Sequence, residues 1–476
     1  MKTLNYSTRR QQGSVLAASL VIAFIIGATL ASYMVMTQSQ NTSVVRSQIW
    51  NSAIALSEAG VEDALAMINK YSGNFDSLPT WTNSASLSAD NWTAIGGNVY
   101  YVRRYIGSNY YDAYITNANN APTIYAAGRV HWNNAYASAP VGFLATVNGT
   151  VQPTSTTVSR QLEVRTKLDP LFNVAMAAER SIDLNGNNIT TDSFDSADPN
   201  HSDNGLYPSN LSKTKAGGDV VSNDVVKDTL DIGNAKIKGI VKTGPKGTIA
   251  IGPNGSVGDR AWVESGKKGI KPGHSADDMN VLFPDVELPA GATTWVSPPL
   301  HTQNQLIGGL MYNYAFLTDG NYRVSSLGGN IYVGPNANVR LYVTGSASFS
   351  GGNRIDLAAG SLGGSTLRLY MGGSFSTTGN GAINNYNQNA AALTLFGLPS
   401  CTSIKFAGNA AYTGVVYAPQ AHFHLGGGGN NEYDFVGSSV TKSVQMNGKF
   451  QFHYDENLRR VGLGRGYIPT KWAEVR

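Results

Sequence analysis

Charge is scarce in this chain of 476 residues: Asp, Glu, Lys and Arg make up 14%, against the roughly 25% usual for globular proteins. The formal net charge of +4 is small for that length and thinly spread, so a nucleic-acid partner is not expected. Cysteine is nearly absent. The single Cys401 excludes an intramolecular disulfide and reads as a small buried residue rather than an intermolecular bridge. Proline is missing before Pro79, and between Gln11 and Val45 there is no Asp, Glu, Lys, Arg or His. There is no Gly-x-Ser-x-Gly elbow, Walker loop or His-Glu-x-x-His motif. These absences leave no catalytic residue, cofactor site or metal site to assign.

What is present begins with a greasy run from Val15 to Met36. About 20 such residues in a helix, at ~1.5 Å each, match a hydrocarbon core of ~30 Å. Lys2, Arg9 and Arg10 precede it, and no acidic residue occurs before Glu58. That asymmetry predicts a single pass with the N-terminus on the cytoplasmic side. A secretory signal peptide has an apolar core of only about 7–15 residues and a small-residue exit, which Ala31-Ser-Tyr-Met-Val does not supply. Beyond Met36 the helical signal continues. Ile49, Ala53, Leu56, Gly60, Ala64 and Met67 recur at three- and four-residue steps, and Ile54, Val61, Leu65 and Ile68 widen the stripe. The spacing predicts one helix from Ser14 to about Asn69, greasy all round first and amphipathic second.

Arg9-Arg10-Gln11-Gln12-Gly13-Ser14, the apolar run, and Ala55-Leu56-Ser57-Glu58-Ala59-Gly60-Val61-Glu62-Asp63-Ala64 together resemble the N-terminal segment of type IV pilins and pseudopilins. Within that group the sequence is most similar to the PilX-like family. The resemblance implies cleavage by a prepilin peptidase at Gly13–Ser14, with Ser14 beginning the mature chain. It also implies an inner-membrane assembly platform, the lipid bilayer and other pilin-like subunits as partners. Main pilins carry glutamate at the fifth mature position, where this chain has Ala18.

Residues 71–169 read as a pilin-like antiparallel β region. Its strand signals are Asn98–Ile106, Tyr110–Ile115, Thr123–Trp132 and Val158–Lys167, and its Tyr and Trp residues read as sheet packing rather than a stacking platform. Asp169-Pro170 marks a boundary. From there to about residue 460, short apolar strands alternate with Gly/Asn corners such as Gly334-Pro-Asn-Ala, Gly351-Gly-Asn and Gly379-Asn-Gly. Strands beginning at Val339, Leu367, Leu393, Thr413 and Tyr433 are spaced by about 20 to 28 residues, one rung of a right-handed parallel β-helix. Val343 and Leu369 are inward ladder positions in this reading. Residues 190–310 show the rhythm poorly and read as irregular rungs with insertions, and 461–476 as a C-terminal tail. The stretches Tyr412–Asn431 and Phe435–Glu456 resemble a bacterial β-helix-like domain of unassigned function, over roughly residues 172–460. The fold class is therefore mainly β: a basic leader (1–13), a long transmembrane and amphipathic helix (14–70), a small antiparallel sheet, then a β-helix-like head.

Three clusters bear on chemistry. His422 and His424 share a strand face, and with His453 they would make a three-His metal site, but exposed histidines lacking a carboxylate read as surface. Asp192, Asp195, Asp198 and Asp203 offer oxygen ligands for Ca²⁺, yet the spacing matches no EF-hand and reads as a solvated loop. His453, Asp455 and Glu456 read as a polar cap on the last rung, so replacing His453 or His422 with alanine is expected to be nearly silent for folding. The expected function is structural, a minor-pilin- or pseudopilin-like subunit in the bacterial cytoplasmic membrane with its bulk outside. The alternatives are a membrane-tethered β-helix enzyme or carbohydrate-binding protein, and a surface protein that keeps its leader.

Overall fold

The computed structural model describes residues 12–70, 80–82, 84–118, 121–133, 155–186, 188–360, 364–379, 382–387, 389–407, 412–426, 433–447, 449–460 and 463–475. Most of the leader lies outside them. The chain divides into two compact units, one of residues 1–72, 79–168 and 467–476, the other centred on 169–466.

In the first unit a single helix, α1, runs Gln12–Lys70 without a break, 59 residues or roughly 88 Å at the usual rise. The absence of proline and the run of small and aliphatic residues allow that length. Its second half buries Ala53, Ser57, Gly60, Val61, Ala64, Met67 and Ile68 against an antiparallel sheet. The sheet consists of β1 (Thr93–Gly96), β2 (Val99–Ile106), β3 (Asn109–Thr116), β4 (Thr123–Asn133), β5 (Ser155–Pro170) and a C-terminal strand, Gly464–Val475, in that order. Tyr111, Ala113 and Ile115 of β3 and Ile124 and Ala126 of β4 join the helix in one core.

The small residues of the helix block have a steric cause. A Cβ on Gly128 of β4 would lie 2.1 Å from the Ala53 carbonyl oxygen and 2.6 Å from the Ser57 amide nitrogen. The strand backbone thus touches the helix directly. Ser57 Oγ accepts the Gly128 N–H at 2.9 Å and sits 2.8 Å from the Arg160 carbonyl oxygen, to which it donates. Deeper along the helix, Asp63 receives Arg104 at 2.8 Å and the Tyr111 hydroxyl at 3.1 Å.

The 461–476 stretch, expected as a tail, supplies the sixth strand. Arg160 pairs with Glu474, Thr470 Oγ1 donates to the Arg165 carbonyl at 3.0 Å, and the Tyr467 backbone exchanges two hydrogen bonds with the Asn69 side chain. Pro469 hid the strand signal, since proline is tolerated in a sheet at its edge, and this strand stands at one edge.

The second unit is β-helix-like, built from parallel strands stacked rung on rung. Tyr322, Leu341, Leu369, Leu395 and Val416 lie directly opposite one another in successive strands. Val416 then faces Ser439, and Ser439 faces Met176, after which the column continues through Val220, Val241 and Ser275. The column from Leu341 through Val241 is buried, so an apolar ladder takes the place of a globular core. Phe435 stacks on Phe452 at 4.3 Å in a second column. Corner positions require left-handed backbone, as at Asn336 (φ 63°) and Gly351 (φ 67°), which is why Asn and Gly recur there.

The rungs do not stack in sequence order. The chain enters in mid-stack at Met176–Ala178, winds outward to Ser275–Ala276, crosses back to the far end, and winds inward from Gly320–Val324 until Tyr433–Met446 meets the entry rung. Residues 190–276, expected as irregular, are short but regular rungs with insertions at 195–219 and 259–268.

The return crossing is a strap laid along the stack. Met279 N–H bonds to Thr243, Asn223 Oδ1 accepts the Val281 N–H at 3.1 Å, the Tyr417 hydroxyl donates to the Pro284 carbonyl at 2.8 Å, and the Arg323 N–H reaches the Val296 carbonyl at 2.9 Å. Trp295 packs edge-on against Tyr370. The strap explains why Tyr370 and Tyr417, beside inward-facing Leu369 and Val416, are buried too.

Candidate functional site

The first half of α1 is the membrane candidate. Leu16, Leu20, Phe24, Ile26 and Leu30 are each more than half exposed, and one 18-residue window has mean hydropathy 2.4 with none of it buried. Its few hydroxyls turn inward on the helix: Ser32 Oγ donates to the Ala28 carbonyl at 2.8 Å and Thr37 Oγ1 to the Tyr33 carbonyl at 2.9 Å. With these bonds made, neither of the two hydroxyls needs water as a partner. Gly13 and Ser14 belong to the first turn of the helix; the Ser14 side chain lies outside the described residues. Ala18 is exposed.

A polar cluster occupies the seam where the last rung meets the first. Strand Phe450–Asp455 pairs with strand Thr190–Phe194, setting His453 opposite Asp192. His453 is 1% exposed and its Nδ1 lies 2.6 Å from Asp192 Oδ1, while Nε2 faces Asp434 Oδ1 at 3.5 Å. Tyr207 stacks on the imidazole at 3.6 Å and donates its hydroxyl to Asp192 Oδ2 at 3.0 Å. Lys238 lies 3.7 Å from the same carboxylate and 3.3 Å from Glu264. Burial works against a charged imidazole, but the hydrogen bonds to Asp192 and Asp434 outweigh it and hold the His453 pKa above the ordinary value.

This corrects the reading of His453, Asp455 and Glu456 as a cap. The strand is the last of the stacked strands in sequence but lies in mid-stack. Asp455 accepts the N–H groups of Ser196 and Asn457, both at 3.0 Å, and burial raises its pKa. Glu456 accepts from Ser193 at 2.8 Å and pairs with Lys215. Tyr207, Lys238, Asp434 and Glu264 were not singled out from the sequence. Nothing in their spacing marks them, and it is the out-of-order pairing of His453 with Asp192 that gathers them into one cluster.

The remaining candidates stay apart. His453 faces Val436 near one end of strand Tyr433–Met446, whereas His422 faces Ser443 near the other. His422 Nδ1 lies 2.6 Å from Ser443 Oγ, and burial followed by the charge of Lys405 lowers the His424 pKa. Asp195 pairs with Arg460 and Asp203 with Lys213, while Asp198 accepts the Asn200 N–H at 2.9 Å. Among the described residues no group of three or more His, Cys, Asp or Glu converges as a metal site. Cys401 is fully buried and free, its thiol pushed up to about 11 by burial.

Residues 358–461 match a family model described as a domain of unknown function, DUF7305. The match ends just past the seam and leaves out the rungs between Met176 and Ala276 that complete the stack. No curated protein matches the chain. Among solved structures, the competence-associated pilin ComZ from Thermus thermophilus aligns at 11% identity, covering 89% of this chain and 97% of its own, with a TM-score of 0.25. Similarity at that level carries no argument. The chain is thus a membrane-anchored, β-rich protein whose head contains a DUF7305 match.

Proposed function

We propose that this protein is a structural subunit, minor-pilin- or pseudopilin-like, of a type IV pilus or type II secretion filament. The observation that supports this best is the two-part character of α1. Its first half is apolar on every side with nothing packed on it, and its second half is seated on a sheet through Ala53, Ser57 and Gly60. A simple anchor needs only about 20 residues; a helix that also packs against neighbouring subunits needs the rest. Lys2, Arg9 and Arg10 keep the N-terminus in the cytoplasm, so the head stands outside the cytoplasmic membrane. The partners are a prepilin peptidase, an assembly platform, the bilayer and other pilin-like subunits. No catalytic role for the head forms part of this proposal. A carboxylate in hydrocarbon is tolerated mainly where it meets a partner. Ala18 offers none, which fits a subunit used in few copies at one end of a filament.

The processing step tests this reading. Mass analysis of the membrane-extracted protein is expected to find Ser14 as the mature N-terminus, and Gly13→Leu to leave the precursor uncut. An intact Met1 terminus in cells with active peptidase would overturn the filament assignment.

A further inference from the structure

Between Glu287 and Asp319 the chain carries no Asp, Glu, Lys or Arg. That stretch includes a hairpin of strands Gln303–Ile307 and Leu310–Phe316, turned by Gly308 and Gly309. Both glycines have positive φ, 58° and 81°, the two-residue turn that suits strand twist. A Cβ at either would meet nothing within 4 Å, so the turn stands in open space.

The tip is apolar on both faces. Leu306 is paired with Met311 and Ile307 with Leu310; successive residues of a strand point to opposite faces. Leu306 is 67% exposed and Met311 51%, while Ile307 and Leu310 on the opposite face are partly exposed. Below the tip the character changes at once: Asn304 and Asn313 are exposed, and the Tyr312 hydroxyl is tied to Asp356 at 2.5 Å. Two residues per strand lie above this polar collar, about 7 Å at strand rise.

A protein strand added to the hairpin edge would leave one apolar face of the tip in water. A medium that surrounds the tip covers both. The apolar height also agrees with the ~5–10 Å to which interfacial elements sink into the headgroup and acyl boundary. We propose that the Leu306–Met311 tip inserts into a lipid bilayer, giving the head a membrane contact of its own. The absence of Lys and Arg makes that contact indifferent to anionic lipid and to salt. The proposal does not rest on the filament reading, since a tethered surface protein would use the same tip.

The test uses the full chain in phosphatidylcholine nanodiscs, with Cys401→Ser and an NBD label on Leu306→Cys. Brominated phosphatidylcholine is supplied in the discs, then in added vesicles. Insertion is expected to blue-shift and quench the label in at least one arrangement, while a label on exposed Lys227→Cys is unchanged. Where added vesicles quench the label, Leu306→Asp with Met311→Asp is expected to lower vesicle co-flotation at least tenfold with an unaltered circular dichroism spectrum; where the disc lipid quenches it, Met311→Asp is expected to remove most of the quenching. A Leu306 label that behaves like the Lys227 label in both arrangements would overturn the proposal. Label self-quenching that appears without accessible lipid would overturn it in favour of a second copy.

Discussion

Full-length protein carrying Leu369→Asp is expected to show no cooperative β-rich unfolding transition in detergent. Leu369 is 1% exposed and stands between Leu341 and Leu395 in the ladder. Removing the side chain from the stack forfeits about 2–3 kcal/mol of burial. Its replacement adds a carboxylate flanked by aliphatic side chains, at a further cost of several kcal/mol. Together these approach the roughly 5–15 kcal/mol that holds a whole domain. Ser348→Asp provides the control. Ser348 is exposed between buried Ala347 and Phe349, and its replacement is expected to change stability by under about 0.5 kcal/mol. Circular dichroism melts of both variants decide the matter, and equal melting would contradict an inward Leu369.

Alanine at His453 is expected to destabilise the head by about 3 kcal/mol, the low end for breaking a buried ion pair. Tyr207 and Lys238 remain near Asp192 and soften the loss. This replaces the expectation that His453→Ala would be nearly silent; His422, which is exposed, keeps that expectation. The effect depends on pH with a definite sign. Because the folded pKa of His453 is raised, its contribution is complete below the unfolded value of about 6.5. It is lost as pH rises through the folded pKa. The stability difference between wild type and His453→Gln is therefore expected to be larger at pH 6 than at pH 9. A difference that grows with pH would show that the imidazole is neutral when buried.

Much of the architecture was legible in the chain because it is written in local periodicity. The absence of charge and proline marks α1, alternation marks β2 through β5, and Gly/Asn corners mark the rungs from Val339 onward. The spacing of about 20 to 28 residues is the spacing of the register partners Leu341, Leu369, Leu395, Val416 and Ser439. What stayed hidden depends on where distant segments meet. Ala53, Ser57 and Gly60 read as part of a stripe, but the cause of their small size is Gly128, on a strand far along the chain. Most rungs before Ala276 have strands of two or three residues, such as Leu230–Asp231 and Val241–Lys242, too short to show alternation. The pairing of Asp192 with His453 could not be read either. A rung period says how far apart neighbours are in sequence, and across the seam Asp192 and His453 are hundreds of residues apart.

That seam can be tested by a single cross-link. Thr190 and Gln451 are direct partners across it, both partly exposed, and adjacent strands lie about 4.8 Å apart, within the range a disulfide spans. With Thr190→Cys and Gln451→Cys in a Cys401→Ser background, mild oxidation of the full chain is expected to give an intramolecular disulfide. A peptide map would show the two cysteines joined in one mass. Stacking in sequence order would hold Thr190 and Gln451 far apart; free thiols, or cross-links only between chains, would contradict the account.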